Sequence, residues 1–177
     1  MKKAQGVLLA VCLLASFTAF AADAPKAEVF GGYQYTRLSG EGIIPDVNAN
    51  GWNGALTGNF NKWFGVTADF SGAYASISGV SFKTHTYTFG PTLSARGSDK
   101  FTPFVHALFG GAHGSAGAGG FSASGNAFAM LLGGGVDAKF ADRMAFRVAQ
   151  FDWVSLRSNG STSNKNFRLS TGLVIHF

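Results

Sequence analysis

The last twelve residues, Asn166 to Phe177, alternate: Phe167, Leu169, Thr171, Leu173, Ile175 and Phe177 share one phase, and Asn166, Arg168, Ser170, Gly172, Val174 and His176 share the other. A period of two is that of an extended strand, whose successive side chains point to opposite faces. One face here is apolar. The other mixes charge, hydroxyl and glycine, which suits a strand crossing a bilayer with lipid outside and a polar interior, a task for about 9–11 tilted residues.

The pattern recurs along the chain. Trp52, Gly54, Leu56, Gly58 and Phe60 alternate with Asn53, Ala55, Thr57 and Asn59, and Phe64, Val66, Ala68 and Phe70 alternate with Gly65, Thr67, Asp69 and Ser71. Only Asn61-Lys62 separates these runs, a hairpin signal. His85, Tyr87, Phe89, Pro91 and Leu93 alternate with threonines and a glycine; Phe101 to Ala112, Asn126 to Lys139 and Met144 to Val148 follow. With the opening run Val29 to Thr36, these make eight strands. The first and fifth carry aromatic or small residues on both faces, so their facing stays open, as does that of Asp152, because Gln150, Phe151 and Asp152 break the alternation and suggest a bulge.

Connections are short near 61–62, 96–100 and 140–142, whereas 38–51, 75–81, 113–125 and 155–165 are rich in Gly, Ser and Asn and are expected to be long loops. Short periplasmic turns alternating with longer outer loops are the habit of bacterial outer-membrane barrels, and an even strand number returns both termini to one side. In lipid an open sheet leaves edge amides unpaired, so the sheet must close. The predicted fold is all-β, an eight-stranded antiparallel up-and-down transmembrane β-barrel. Pro91 and Pro103 each lack a ladder donor and are expected near strand ends or bulges.

The first 21 residues do not fit this pattern. Lys2 and Lys3, an apolar run from Val7 to about Leu14, and Ala19-Phe20-Ala21 read as a secretory signal peptide over 1–21, leaving a barrel domain over 22–177. Cys12 follows Val11 instead of a small residue, so no lipoprotein is expected, and the mature chain carries no cysteine and no disulfide.

Composition agrees with a barrel in lipid. Of 177 residues 13% are charged and 25 are glycine, far from the usual values of about 25% and 7%, and 46% are hydrophobic, which excludes a disordered chain. No later segment approaches the roughly 18 apolar residues of a membrane helix. The formal charge of +5 falls to +3 once Lys2 and Lys3 are removed, and the remaining basic residues, Lys62, Arg96, Lys100, Lys139 and Arg143 among them, are spread over turns. A nucleic-acid partner is not expected without a basic cluster.

The signal peptide, the eight alternating runs, the stretch Phe101-Thr-Pro-Phe-Val-His-Ala-Leu-Phe-Gly-Gly, the run Ala145-Phe-Arg-Val-Ala-Gln-Phe-Asp-Trp and the ending Phe167 to Phe177 resemble the opacity-type and OmpA-like outer-membrane β-barrel family. The resemblance covers residues 25–177. It implies a bacterial, Gram-negative-type outer membrane, lipid as surroundings, and handling by the barrel assembly machinery, for which Phe177, Ile175 and Leu173 would be the recognition signal. Phe177 would equally serve as an interfacial aromatic anchor, and both roles can hold.

Chemistry is sparse. His85, His106, His113 and His176 are scattered and no metal-ligand spacing exists, so neither metal nor cofactor is expected. His113-Gly-Ser115 resembles the His-x-Ser element of outer-membrane lipid A deacylases, but it is expected in a loop without rigid partners. The glycine-rich stretch 110–120 lacks a Lys-Ser/Thr ending and does not suggest phosphate binding.

Charges predicted to face inward carry more. Asp69, Arg147 and Arg168 fall on the lumen phase, with Glu28 and Asp137 inward near the periplasmic end. Eight strands leave an interior just wide enough for side chains to fill, so these five are expected to form a polar plug. The expected role is therefore structural or surface-interacting, adhesin-like, with outer loops that contact surface ligands. A narrow small-solute pore is the alternative. A lipid-modifying enzyme would need a catalytic group at the wall, none can be picked out, and the chain is read as not an enzyme.

Overall fold

The computed structural model describes residues 25–39, 46–77, 79–119, 121–158 and 160–177. The segment expected to be a signal peptide, residues 1–21, lies outside them. Eight strands follow in order: β1 Ala27–Leu38, β2 Val47–Asn59, β3 Phe64–Ile77, β4 Val80–Ser94, β5 Phe101–Ala118, β6 Phe121–Ala141, β7 Met144–Ser158 and β8 Ser161–His176. Each pairs antiparallel with its neighbour, and β1 pairs with β8 from Glu28↔His176 to Arg37↔Phe167, closing the barrel. The backbone amides of Lys26 and Phe177 donate to Phe177 O and Ala27 O, both at 2.8 Å, so the first and last strands end together.

Facing follows the period of two. Val29, Leu56, Phe70, Phe89, Val105, Leu132, Phe151 and Leu173 are large apolar side chains exposed on the outer wall, while Gln34, Asn53, Asp69, Thr88, Asp152, Arg168 and Ser170 are buried inside. Such an inside-out distribution is stable only where the outer wall meets hydrocarbon. The outward phase of β8 runs ten steps from Phe167 to Phe177, and at about 3.4 Å per residue and a tilt near 40° this spans roughly 25 Å, the height of a lipid-facing band. Pro91 lies near the end of β4 and Pro103 is the third residue of β5.

At the end carrying both termini the turns are 60–63, 95–100 and 142–143. The first is two residues longer than the Asn61-Lys62 spacing suggests, because Asn61 Oδ1 accepts from the amides of Trp63 and Phe64 at 2.9 and 2.8 Å and folds the chain around its own side chain.

At the opposite end three of the four stretches expected to be long loops, 75–81, 113–125 and 155–165, are largely paired strand; of the fourth, 38–51, residues 40–45 lie outside the described residues. β3 and β4 pair out to Ile77↔Val80, β5 and β6 to Ala118↔Phe121, and β7 and β8 to Ser158↔Ser161. Gly79, Gly119 and Gly160 stand in these tight connections at φ of 82°, 55° and 83°, the left-handed region that mirror-image hairpin turns require. Small and polar residues read as loop, but a ladder outside the membrane needs only backbone groups and tolerates Gly, Ser and Asn on both faces. His113 and Ser115 accordingly lie within β5 and not in a loop.

Candidate functional site

Inside the lumen, side chains from β2, β3, β5, β6, β7 and β8 join in one hydrogen-bonded network. From β8, Arg168 donates to both oxygens of Asp69 on β3, at 2.7 and 3.1 Å, and through Nε to Asp152 on β7 at 2.8 Å. Asn53 Nδ2 donates to Asp69 at 2.9 Å. Asp152 also meets His106 Nε2 from β5 at 2.6 Å and accepts from Gln150 Nε2 at 2.8 Å. Gln150 turns its oxygen to Arg147 Nη1 at 2.6 Å, and Arg147 holds Asp137 on β6 with two bonds of 2.8 and 3.0 Å. The Arg147 guanidinium is sandwiched between the rings of Phe30 and Phe104, at 4.3 and 4.2 Å from their centroids, which stabilises a cation with little water around it. Buried ions persist only when paired and hydrogen-bonded, and both arginines meet that condition bidentately.

Of the five charges predicted to line the lumen, the structure joins four into this network as the pairs Asp69–Arg168 and Asp137–Arg147. Glu28 also faces inward, but it belongs to a separate cluster at the periplasmic mouth. There Arg96 Nη2 meets Glu28 and, at 3.2 Å, Asn59 Oδ1, while Arg96 Nη1 donates to Lys62 O at 2.9 Å. Asn59 Nδ2 completes the cluster on Glu28 Oε1 at 3.0 Å. Sequence reasoning missed Arg96, His106, Gln150 and Asp152 as partners.

The facing of Asp152, open in the sequence, is decided by a bulge. β7 carries one extra residue between Arg147 and Gln150 against both neighbours: Arg147 pairs with Asp137 and Gly172, whereas Gln150 pairs with Gly135 and Ser170. The extra residue resets the phase, so that Arg147 and Gln150, three apart, both point inward, and Asp152 and Val154 after them. The interruption therefore lies at 148–149 and not at 150–152. Strict alternation from Arg147 would have sent Asp152 into lipid. His106 was readable in principle from its spacing to Phe104 and Leu108, which share its inward phase.

Above the polar network the lumen turns apolar. Leu108, Ala112, Ala129, Leu131 and Val154 form a buried cluster with Leu156 against it. A smaller cluster of Phe30, Ala145 and Val174 lies on the other side of the network, toward the end that carries both termini, where Phe30 packs on Arg147. The expected polar plug thus fills only part of the lumen, and apolar side chains fill the rest. The spaces left inside are small. A cavity of about 10 Å³ lies among Thr67, Asp69, His106 and Gln150, and one of about 20 Å³ lies between Arg168, Gln34, Leu131 and Val154. Each has room for about one water. At the outer mouth the lumen opens into a hollow of about 330 Å³ lined by Leu38, Val47, Phe82, Thr84, Ala116 and Ala123.

Leu173, Ile175 and Phe177, expected from the family resemblance to carry the assembly signal, all lie exposed on the outer wall of β8 and its end. At the opposite rim, Lys83, Arg157 and Lys165 are exposed cations without an ion-pair partner among the described residues, unlike Arg37, which holds Asp46 at 2.7 Å. Among the described residues no group of three or more His, Cys, Asp or Glu gathers to hold a metal ion.

Closed strand order, an apolar outer wall and a filled lumen define a small outer-membrane barrel, and the chain belongs to the family described as the outer membrane protein beta-barrel domain, whose model matches residues 7–177. Its place is the bacterial outer membrane. The fold is similar to the crystal structure of Neisserial surface protein A, with a TM-score of 0.74 at 12% identity over 87% of this chain and 99% of that one. Ail, the attachment invasion locus protein of Yersinia pestis, matches with a TM-score of 0.64 at 18% identity over 87% and 99%. OprG of Pseudomonas aeruginosa matches with 0.54 at 11% identity over 87% and 96%. At these identities the likeness is one of fold. None of the curated protein sequences matches the chain.

Proposed function

We propose that this protein is a sealed barrel that acts through its outer hairpins, as a surface-interaction scaffold of adhesin-like type and not as a conduit or a catalyst. The observation that carries this reading is the double filling of the lumen: the Asp69–Arg168–Asp152 layer beneath and the Leu108–Leu131–Val154 layer above. A solute would have to break buried ion pairs and part a packed apolar cluster in series. In this reading His106 and Asp152 hold the plug together instead of serving as base and orienting acid, and Leu173, Ile175 and Phe177 present the C-terminal strand to the assembly machinery.

For the ligand, Lys83, Arg157 and Lys165 at the outer rim suit a polyanionic surface polymer. One of the Ail structures with this fold is a complex with the heparin analogue sucrose octasulfate. The test has two arms on the refolded mature chain, its folding checked by the shift between unboiled and boiled samples on a gel. In a planar bilayer the barrel should be electrically silent; reproducible unitary steps would replace this reading with that of a narrow pore. On a heparin column the barrel should be retained at low salt, and a Lys83→Gln, Arg157→Gln, Lys165→Gln variant should not.

A further inference from the structure

His85 on β4 and His113 on β5 are direct register partners, and both side chains are exposed on the outer wall near the outer rim. Directly opposed residues place their Cβ atoms about 4.5–5.5 Å apart on one face, close enough for two imidazoles to share an ion. Each ring is steadied through one nitrogen. His113 Nδ1 donates to Asn126 Oδ1 on β6 at 2.8 Å. His85 Nε2 meets the Tyr74 hydroxyl on β3 at 3.1 Å, and that hydroxyl accepts from Trp52 Nε1 at 3.3 Å. Tyr74 also packs edge-on against the His85 ring, with centroids 5.7 Å apart.

The other two nitrogens, His113 Nε2 and His85 Nδ1, have no protein partner among the described residues. In metal-ligating histidines the second nitrogen is likewise held by an outer partner that orients the ring and selects its tautomer. His113 is already in the required form, Nδ1 carrying the proton. His85 reaches it when Nε2 donates to the tyrosine oxygen in place of accepting from it, with no change of position.

We propose that His85 and His113 form a two-imidazole site for a divalent late first-row transition cation at the outer membrane interface, with Cu(II) bound more tightly than Zn(II) or Ni(II). Imidazole nitrogens suit these ions, and affinity for a given nitrogen set rises to copper and falls at zinc. With two protein ligands, water completes the coordination, so the site captures and releases the ion and does not lock it in. Lys83, next on that face of β4, is exposed and opposes the ion through screened repulsion. The proposal does not depend on the lumen or on the surface-scaffold reading.

The test is isothermal titration of the refolded barrel with copper(II) chloride, and with zinc chloride in parallel, with continuous-wave electron paramagnetic resonance on the copper-loaded sample. One copper should bind per barrel. Replacing either histidine, His85→Ala or His113→Ala, should weaken binding by about 100-fold, since each converts an intramolecular second contact into none. The copper spectrum should show nitrogen coupling from two imidazoles in the native chain and from fewer in either variant. Should an alanine variant fail the unboiled gel shift, His85→Asn and His113→Asn replace it. Native affinity retained in either single variant, a spectrum of one nitrogen in the native chain, or zinc bound more tightly than copper would each overturn the proposal.

Discussion

Arg168 on β8 reaches across the barrel axis to Asp69 on β3, a residue 99 positions earlier, and binds both of its carboxylate oxygens while its Nε holds Asp152 on the adjoining strand. One guanidinium thus ties three strands together at a level where all three side chains are buried.

Removing it should be costly. Arg168→Ala leaves Asp69 and Asp152 buried without their main counter-ion, and deleting one partner of a buried pair costs about 3–5 kcal/mol. The triple change Asp69→Asn, Asp152→Asn, Arg168→Gln removes the charges together and should recover much of that loss. Urea titration of folding into lipid vesicles measures both; equal destabilisation by the single and triple changes would contradict the pairing.

The outer wall obeys a different rule from the lumen. Leu173 is exposed there, between the interfacial aromatic residues Phe167 and Phe177. Leu173→Arg should therefore cost about 2–4 kcal/mol, the penalty for arginine near the bilayer midplane. Ser122→Arg, on the β6 segment that pairs with β5 beyond the last β6–β7 pair, should fall within about 0.5 kcal/mol of the native chain, as exposed surface changes do. The same vesicle titration ranks them, and a reversed order would move the membrane band.

Two seals in series predict a specific pattern of conductance. Arg168→Gln opens the ion-pair layer but leaves Leu108, Leu131 and Val154 packed above it, so the single variant should stay silent in a planar bilayer. Leu131→Ser alone should also be silent, because the ion-pair layer remains. The double variant should give unitary steps. Conductance in either single variant would mean that one layer alone closes the lumen.

The seam that closes the barrel has its own weak point. Gly32 on β1 lies opposite Gly172 on β8, and a Cβ added at Gly172 would stand 2.4 Å from Gly31 O and 2.5 Å from Gly32 Cα. Both are backbone atoms of the paired strand and cannot swing aside. Gly172→Ala should destabilise the barrel by about 1–3 kcal/mol, the range for overpacking, and lower the folded fraction on an unboiled gel. Gly31→Ala, where an added Cβ meets nothing within 4 Å, is the matched control.

Much of this architecture was legible in the chain because a strand's period is local. Phe167 to Phe177 show their two faces without reference to any other strand, and the inward placement of Asp69, Arg147, Arg168 and Asp137 follows from counting in steps of two, whereas that of Glu28 waits on the facing of β1 in the closed sheet. Length, eight such runs and the rule that lipid tolerates no unpaired edge led from there to a closed barrel. Pairing is not local. Nothing near Arg168 in the chain says that Asp69 and Asp152 will meet it; closure of β1 on β8 decides that. One extra residue between Arg147 and Gln150 shifts every later side chain of β7 to the other face, so Asp152 becomes readable only once both neighbouring ladders are in register. The outer hairpins stayed hidden because Gly, Ser and Asn are neutral between loop and solvated strand until a partner strand supplies the hydrogen bonds. His85 and His113, scattered along the sequence, become neighbours by register alone. The alternation of side chains is a property of each segment, whereas partners, phase resets and cross-strand sites are properties of the closed sheet.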